Sequence, residues 1–213
     1  MDQNIYDNQN FFDEYVSLRN RDNNYNVLLE QPAMAELLPD LLDKTVLDLG
    51  CGFGQNCLDF VRRGAKRVVG IDLSQKMLSV AKAESFDPKI AYRNMSMTDI
   101  ASIHESFDFV YSSLAFHYIE NFSKLMRDIS DLTTPGGTLL FSQEHPIITA
   151  TIDGLGHFNK DENGKNVSYT FSDYSRKGKR KTHWFVDGVV KYHRPMGELL
   201  TAVSSAGFMI EVV

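Results

Sequence analysis

Two carboxylates and a run of alternating glycines are the residues of this chain whose types and spacing best suit chemistry. In "TVLDLGCGFGQNCLDF" (residues 45–60), Asp48 precedes Gly50, Gly52 and Gly54, and a helix-period segment follows from Gln55. An ordinary strand-to-helix turn needs at most one glycine. Glycines at alternate positions strip the strand's carboxyl edge of side chains, so a ligand can come close to the backbone. The helix beyond aims free N–H groups at the same place, which suits an anionic or polar group. Asp48 is poorly placed for a pyrophosphate and well placed for an ammonium, so a nucleotide with a zwitterionic amino-acid tail would use both features. The dinucleotide fingerprint G-x-G-x-x-G would need a glycine where Gln55 stands. Asp72, closing "RVVGIDL" (67–73), can accept ribose hydroxyls in a charge-assisted bidentate contact, or can cap a turn.

The elements that must position these residues alternate in kind. "TVLDLG" (45–50), "RVVGIDL" (67–73), "KIAYRNM" (89–95), "FDFVYSS" (107–113) and "GTLLFSQ" (137–143) read as short strands. After Asn121, a plausible N-cap, Phe122, Leu125, Met126, Ile129 and Leu132 share one helix face, with "TPGG" as the stop. After Ser74, which could cap, Met77, Leu78 and Ala81 do the same. Strands alternating with helices at this spacing predict an α/β fold of the Rossmann-like kind, a parallel sheet with helices on both faces. The first strand is then central, and ligand sits at the strands' carboxyl ends.

Composition narrows the function classes. The 213 residues, 43% hydrophobic and 23% charged, predict a single domain (1–213) able to bury a core. Its two cysteines, Cys51 and Cys57, flank the glycine turn as small packing residues of a reducing compartment, without metal-ligand spacing. A net charge of −6 argues against nonspecific nucleic-acid binding. With no signal-peptide pattern and no long apolar run, the expectation is a soluble cytoplasmic protein without membrane contact.

"VLDLGCGFG", "VVGIDLSQKML", "FDFVYSSLAFHYIEN" and "PGGTLLFSQEHP" resemble successive motifs of the class I S-adenosylmethionine-dependent methyltransferases, and among them the broad small-molecule group that includes quinone-biosynthesis type enzymes. The resemblance covers nearly all of residues 10–213. It implies a seven-stranded sheet with one antiparallel strand, and S-adenosylmethionine as cofactor with S-adenosylhomocysteine as product. It places Asp48, Gly50, Cys51, Gly52 and Gly54 at the cofactor's amino-acid end, Asp72 on the ribose, and Leu73 and Met77 near the adenosine. Where the family often has an Asp-Ala pair reading the adenine edge, this chain has Ser96 and Met97, with Asp99 as a fallback. Ser113 and Leu114 would border the cofactor, and His117 and Tyr118 would face the substrate, His117 alternatively satisfying a backbone group. "FFDEYVSLR" resembles a segment that closes over the cofactor, within a helical cap at 1–40. Tyr15 and Arg19 share a helix face there, Arg19 meeting either the cofactor's carboxylate or water.

Residues 146–195 interrupt this framework with hairpin signals, "VSYTFSDY" and "THWFVDGVVKYHRP", and Asp187-Gly188 as a tight-turn pair. They predict a small β-rich cap that selects the methyl acceptor. Its basic run "RKGKRK", Arg176 to Lys181, reads as a solvated hairpin tip or as a contact for an acidic substrate or partner. "GFMIEVV" resembles the sixth strand with no seventh after it, from a shortened chain or an edge left for another chain. Methyl transfer by in-line displacement needs a held nucleophile and excluded water, and a base only if the nucleophile is protonated. Candidates for that base are His117, Glu144 and His145, with His193 in the cap. Two rival classes remain, a noncatalytic S-adenosylmethionine-binding partner protein and an NAD(P)-dependent oxidoreductase. RNA or DNA methylation lacks its motifs.

Overall fold

In the computed structural model, residues 3–21, 23–152 and 156–213 are described. Parts of the two predicted cap segments, residues 1, 2, 22 and 153–155, lie outside the described residues. A 3-10 turn (Ile5–Asp7) and α1 (Gln9–Arg19) lead through a π-helical turn (Asn26–Glu30) into α2 (Gln31–Glu36). Then come β1 (Thr45–Leu49), α3 (Gln55–Arg62), β2 (Arg67–Asp72), α4 (Gln75–Glu84), β3 (Ile90–Asn94), β4 (Phe107–Ser112), α5 (Phe122–Leu132) and β5 (Thr133–Phe141). After the short α6 (Pro146–Thr149), two hairpins follow: β6 (His157–Lys160) with β7 (Asn166–Thr170), and β8 (Gly178–Trp184) with β9 (Val186–His193). The last helix is α7 (Met196–Ser205).

The five-stranded sheet has the order β3-β2-β1-β4-β5, and every pairing in it is parallel. β1 is central, so Asp48 and the glycine loop leave the middle of the sheet at its carboxyl edge. Alternation along the strands splits the core in two. Val46, Val68 and Phe109 face Met34, Phe60 and Leu78 on one side. Leu47, Leu49, Val69, Ile71 and Val110 face Phe122, Leu125, Met126, Ile129 and Leu199 on the other. The expected stripe on α5 is thus its buried face, each large side chain there contributing about 1.5–3 kcal/mol of burial. Asn121 caps that helix by accepting the Lys124 N–H at 3.0 Å, and Ser74 caps α4 by accepting from Met77 at 3.1 Å.

Several expectations need correction. Among the described residues the sheet has five strands rather than seven, and "GFMIEVV" forms no strand: residues 208–213 follow α7 without regular structure. α5 does stop before "TPGG", but β5 begins at Thr133 rather than at Gly137, so "TPGG" lies in the irregular start of that strand, where the register with β4 shifts between Phe107 and Phe109. Gly136 takes φ +78° there, and a Cβ on Gly137 would lie 2.9 Å from the Asp108 carbonyl oxygen, so the chain needs both glycines. The β8–β9 reversal centres on Phe185 at φ 61°, and Asp187-Gly188 occupies a bulge just inside β9. The basic run leads into β8 rather than forming a hairpin tip; Arg176, Lys177, Lys179 and Lys181 are exposed, as a solvated run should be, and Arg180 is the exception. Arg180 is buried and donates to the Ala150 carbonyl through Nε and Nη2, while Arg176 pairs with Asp173 and Lys177 with Glu198. No helix among the described residues is long and apolar enough to cross a membrane.

Candidate active site

The glycine loop is tied down by its own backbone. The N–H groups of Gly50 and Cys51 both donate to the Ile71 carbonyl of β2, at 2.9 and 3.0 Å. The Gly52 N–H donates to Asp72 Oδ2 at 2.9 Å. Gly50, Gly52 and Gly54 take φ of 78°, 54° and 74°, left-handed values that cost a side chain on the order of 1–2 kcal/mol each. A Cβ on Gly50 would fall 2.8 Å from the Ala115 Cβ and 3.7 Å from the Met97 Cε, and one on Gly54 would collide with the Tyr92 hydroxyl at 2.1 Å. Gly52 has nothing within 4 Å of that position among the described residues. The loop is therefore closely packed at its two ends and open at its centre, with the backbone itself as the exposed surface.

Three carboxylates surround it. Asp48 is 1% exposed and accepts the Cys57 thiol at 3.2 Å; burial lifts its pKa from 3.8 to about 7, the Cys57 bond opposes the rise, and the charges of Asp72 and Glu30 add to it. Asp72 accepts the Ser74 N–H at 2.8 Å on its other oxygen, and burial raises its pKa too. The third is Glu30, which closes the π-helical turn. Its Oε1 accepts both the Ser113 hydroxyl (2.7 Å) and the Ser142 hydroxyl (2.6 Å), just past β4 and β5. Its Oε2 accepts the Asn26 amide at 2.8 Å. None of the three forms an ion pair among the described residues. The sequence reading missed Glu30, because "NNYNVLLEQ" carries no motif and the π-turn that aims the side chain has no pattern of its own.

The N-terminal segment covers this edge. Tyr15 packs against Tyr6 (centroids 5.2 Å) and Phe53 (5.9 Å). Arg19 donates to Asn26 and, at 3.0 Å, to Gln55 at the first turn of α3. Asp7 accepts the Ser74 hydroxyl at 2.6 Å, and the Leu73 carbonyl takes Asn94 at 2.8 Å and Asn4 at 3.3 Å. Met77 is buried in the first turn of α4, its N–H donating to the Ser74 hydroxyl at 3.1 Å. Ser96 caps the 3-10 turn Met97–Ser102 by accepting from Thr98 at 3.1 Å. Leu114 sits at φ 51° and donates to the Ser142 carbonyl at 3.1 Å, joining the ends of β4 and β5. A cavity of about 360 Å³ opens beside α3, lined by Arg19, Gln31, Gln55, Asn56, Phe60 and Tyr111 among others. Gly50, Gly52 and Asp72 do not line it, so it adjoins the loop from the α2 side.

At the end of β5 the four candidate bases separate. His145 is exposed, and its Nδ1 accepts the Ile147 N–H at 3.3 Å, which makes it the cap of α6. His193 is fully buried, with Thr149 Oγ1 at 2.9 Å on one ring nitrogen and the Tyr174 carbonyl at 2.8 Å on the other. His117 is 4% exposed; its Nδ1 accepts the Glu144 N–H at 3.4 Å, and burial lowers its pKa to about 4. Glu144 pairs with Lys191 through Oε1, while Oε2 is buried with no hydrogen-bond partner among the described residues. Lys191 Nζ lies 5.2 Å from the Trp184 ring centroid. Beside Glu144 a cavity of about 10 Å³ is lined by His117, Gln143, Tyr192 and Arg194, room for about one water. An orphaned acceptor oxygen costs about 1–3 kcal/mol, so it marks a place where a donor belongs.

Comparison with known proteins bears on the family and the fold. Residues 47–141 match the family model described as a methyltransferase domain. An uncharacterized protein of Haemophilus influenzae is 39% identical over 213 residues, 97% of this chain and 84% of that one. The crystal structure of a putative S-adenosylmethionine dependent methyltransferase from Listeria monocytogenes superposes with a TM-score of 0.78 at 36% identity, covering 86% of this chain and 85% of that one. An S-adenosylmethionine dependent methyltransferase from Mesorhizobium loti gives 0.77 at 38%, covering 90% and 84%. Against the curated ubiquinone biosynthesis O-methyltransferases that it matches, the chain spans less than half of their length.

Proposed function

From the premise that this chain belongs to the class I S-adenosylmethionine-dependent methyltransferases, we propose that it methylates a small-molecule acceptor presenting an O–H or N–H group at the carboxyl end of β5. The observation that carries the acceptor side is the buried, unpartnered Oε2 of Glu144.

The residues present fit the cofactor. S-adenosylmethionine bears two positive groups, an ammonium and a sulfonium, and the loop is ringed by Asp48, Asp72 and Glu30, none of which has a cationic partner among the described residues. When bound, it supplies a methyl group on a sulfur that is already a good leaving group. Asp48 and the backbone of Gly50, Cys51, Gly52 and Gly54 would take the amino-acid end, with Arg19 and the first turn of α3 for its carboxylate. Asp72 keeps lone pairs for ribose hydroxyls beyond the two N–H groups it already accepts. Leu73, Ser96 and Met97 would flank the adenosine, with Met77 supporting them from α4, and Tyr15, Ser113 and Leu114 would close the methyl end. Residues 1–40 act as cover and 146–195 as acceptor cap.

Glu144 then orients the acceptor and, where the acceptor carries a proton, receives it at Oε2. Lys191 holds Oε1 and so fixes the carboxylate's orientation. His117 and His145 serve the backbone around it rather than the acceptor. Titration calorimetry with S-adenosylmethionine, S-adenosylhomocysteine and NAD as control tests the cofactor, and a labelled-methyl screen of small hydroxylated and amino compounds tests the acceptor. On the compound so found, Glu144→Gln lowers turnover at least tenfold and leaves cofactor affinity within twofold. Unchanged turnover removes Glu144 from the chemistry. Cofactor binding without transfer to any compound favours the noncatalytic alternative.

A further inference from the structure

Glu30 is a carboxylate that folding alone does not require. Its hydrogen-bond partners are two serine hydroxyls and an asparagine amide, all neutral, and a neutral amide of the same shape could bond with the same three groups. Placing a negative charge there, near enough to Asp48 to raise its pKa and with no ion-pair partner among the described residues, adds repulsion that the fold must absorb. Oε2 accepts only one hydrogen bond and so retains acceptor capacity. A π-helical turn, a local widening common at functional sites, is what aims the side chain inward.

Its position along the sheet edge selects the positive group it would meet. Across the carboxyl edge in the order β2, β1, β4, β5 stand Asp72, then Asp48 and the glycine loop, then Ser113 holding Glu30, then Ser142 and Glu144. If Asp72 takes the ribose and Glu144 the acceptor, the group that passes between them lies over β4, where Glu30 is. That group is the methyl-bearing sulfonium, while the ammonium belongs to Asp48.

Resting on the functional reading above, we propose that Glu30 is a cofactor-contacting carboxylate that makes the protein prefer the positively charged sulfonium cofactor to its neutral thioether product. The charge lost on methyl transfer then weakens the hold on the product. Because Glu30 belongs to the N-terminal cover and bridges the ends of β4 and β5, the same contact links closure of the cover to the presence of an unspent methyl group.

The test is calorimetric titration of wild type, Glu30→Gln and Glu30→Asp with S-adenosylmethionine and with S-adenosylhomocysteine. In wild type both ligands bind; failure of both would sink the cofactor reading itself, apart from any role of Glu30. In Glu30→Gln, S-adenosylmethionine affinity falls about tenfold, equal to about 1.4 kcal/mol, and S-adenosylhomocysteine affinity changes less than twofold. Glu30→Asp keeps the charge and loses the reach, so both ligands weaken while their ratio stays within about twofold of wild type. Equal loss of both ligands in Glu30→Gln, or no loss of either, overturns the proposal. Should Glu30→Gln not fold, a changed ligand ratio in Glu30→Asp overturns it instead.

Discussion

Replacing Asp48 with asparagine exposes the conflict between folding and binding at the centre of the sheet. In the folded chain the Asp48 carboxyl is 1% exposed and its pKa rises from 3.8 to about 7, burial being the first cause. Below about pH 4 both folded and unfolded chains hold the proton, and the group has no effect on stability. As pH rises toward 7 the unfolded chain releases a proton that the folded chain keeps, so Asp48 destabilises the fold progressively, and above 7 the loss is complete. A rise of about three pH intervals at 1.36 kcal/mol each gives about 4 kcal/mol at pH 8, against about 1.5 kcal/mol at pH 5. Asp48→Asn cannot titrate, so it should gain those amounts, about 8–16 °C in Tm at pH 8 for a chain of this size. Thermal unfolding of both proteins without ligand, from pH 5 to 8, reads the difference. A gain equal at both ends of the range, or a loss at pH 8, would refute the reasoning. The same substitution removes the negative partner for the cofactor's ammonium, so the stabilised protein binds S-adenosylmethionine more weakly. Wild type, in contrast, should release a proton on binding near pH 7, visible as a dependence of the calorimetric heat on buffer ionisation enthalpy.

Asp72→Ala should weaken cofactor binding by roughly 1.5–3 kcal/mol, the range for a charge-assisted bond; an unchanged dissociation constant in a calorimetric titration would reject the ribose assignment. The glycines should divide by position. Gly54→Ala, with its Cβ 2.1 Å from the Tyr92 hydroxyl, should lower stability by on the order of 1–3 kcal/mol in urea unfolding. Gly52→Ala meets no atom within 4 Å and should chiefly lower cofactor affinity; the opposite ranking would mean that ligand does not approach the loop at its centre.

The sheet was legible because its cause is local. Strand residues such as Val46, Val68 and Val69 alternate between two buried faces, and the α5 stripe has the helical period, so pattern and packing agree. Ser74 and Asn121 are read correctly as caps for the same reason. The hairpin turn was misplaced because Asp187-Gly188 satisfies the rule for a tight turn and equally for a bulge, and only pairing with β8 decides. Arg180 could not be told from its neighbours in "RKGKRK", since its burial depends on the Ala150 carbonyl, 30 residues away. At the site, types and spacing pointed to Asp48, Asp72 and the glycines. Glu30 stayed hidden because it reaches β4 and β5 from 83 and 112 residues away through a turn with no sequence signature. His145 and His193 looked like bases because nothing in a sequence shows that a ring nitrogen is already taken.

The aromatic content of the insertion follows from what the N-terminal segment needs. Trp184 and Phe185, at the β8–β9 reversal, pack on Phe11 with centroids 5.2 and 5.5 Å away, and Phe11 stacks edge-on with Tyr6 at 4.9 Å. Gln3 adds two hydrogen bonds to β9, donating to the Gly188 carbonyl at 3.0 Å and accepting the Val190 N–H at 2.7 Å. On its other side the same segment holds the start of α4 through Asp7 and Ser74. Each aromatic pair contributes about 0.5–1.5 kcal/mol beyond its burial, so parting the cover from the cap exposes shared apolar surface and breaks several such contacts together. The N-terminal segment and the β8–β9 hairpin are therefore packed together through shared aromatic contacts and hydrogen bonds. Under the proposed function, that packing would help to exclude water from the sulfonium and the acceptor together. Left-handed Leu114 and Phe185 stand at these contacts, Leu114 next to the Ser113 that bonds Glu30 and Phe185 with its ring on Phe11, and such strain persists only where surrounding contacts over-determine the backbone.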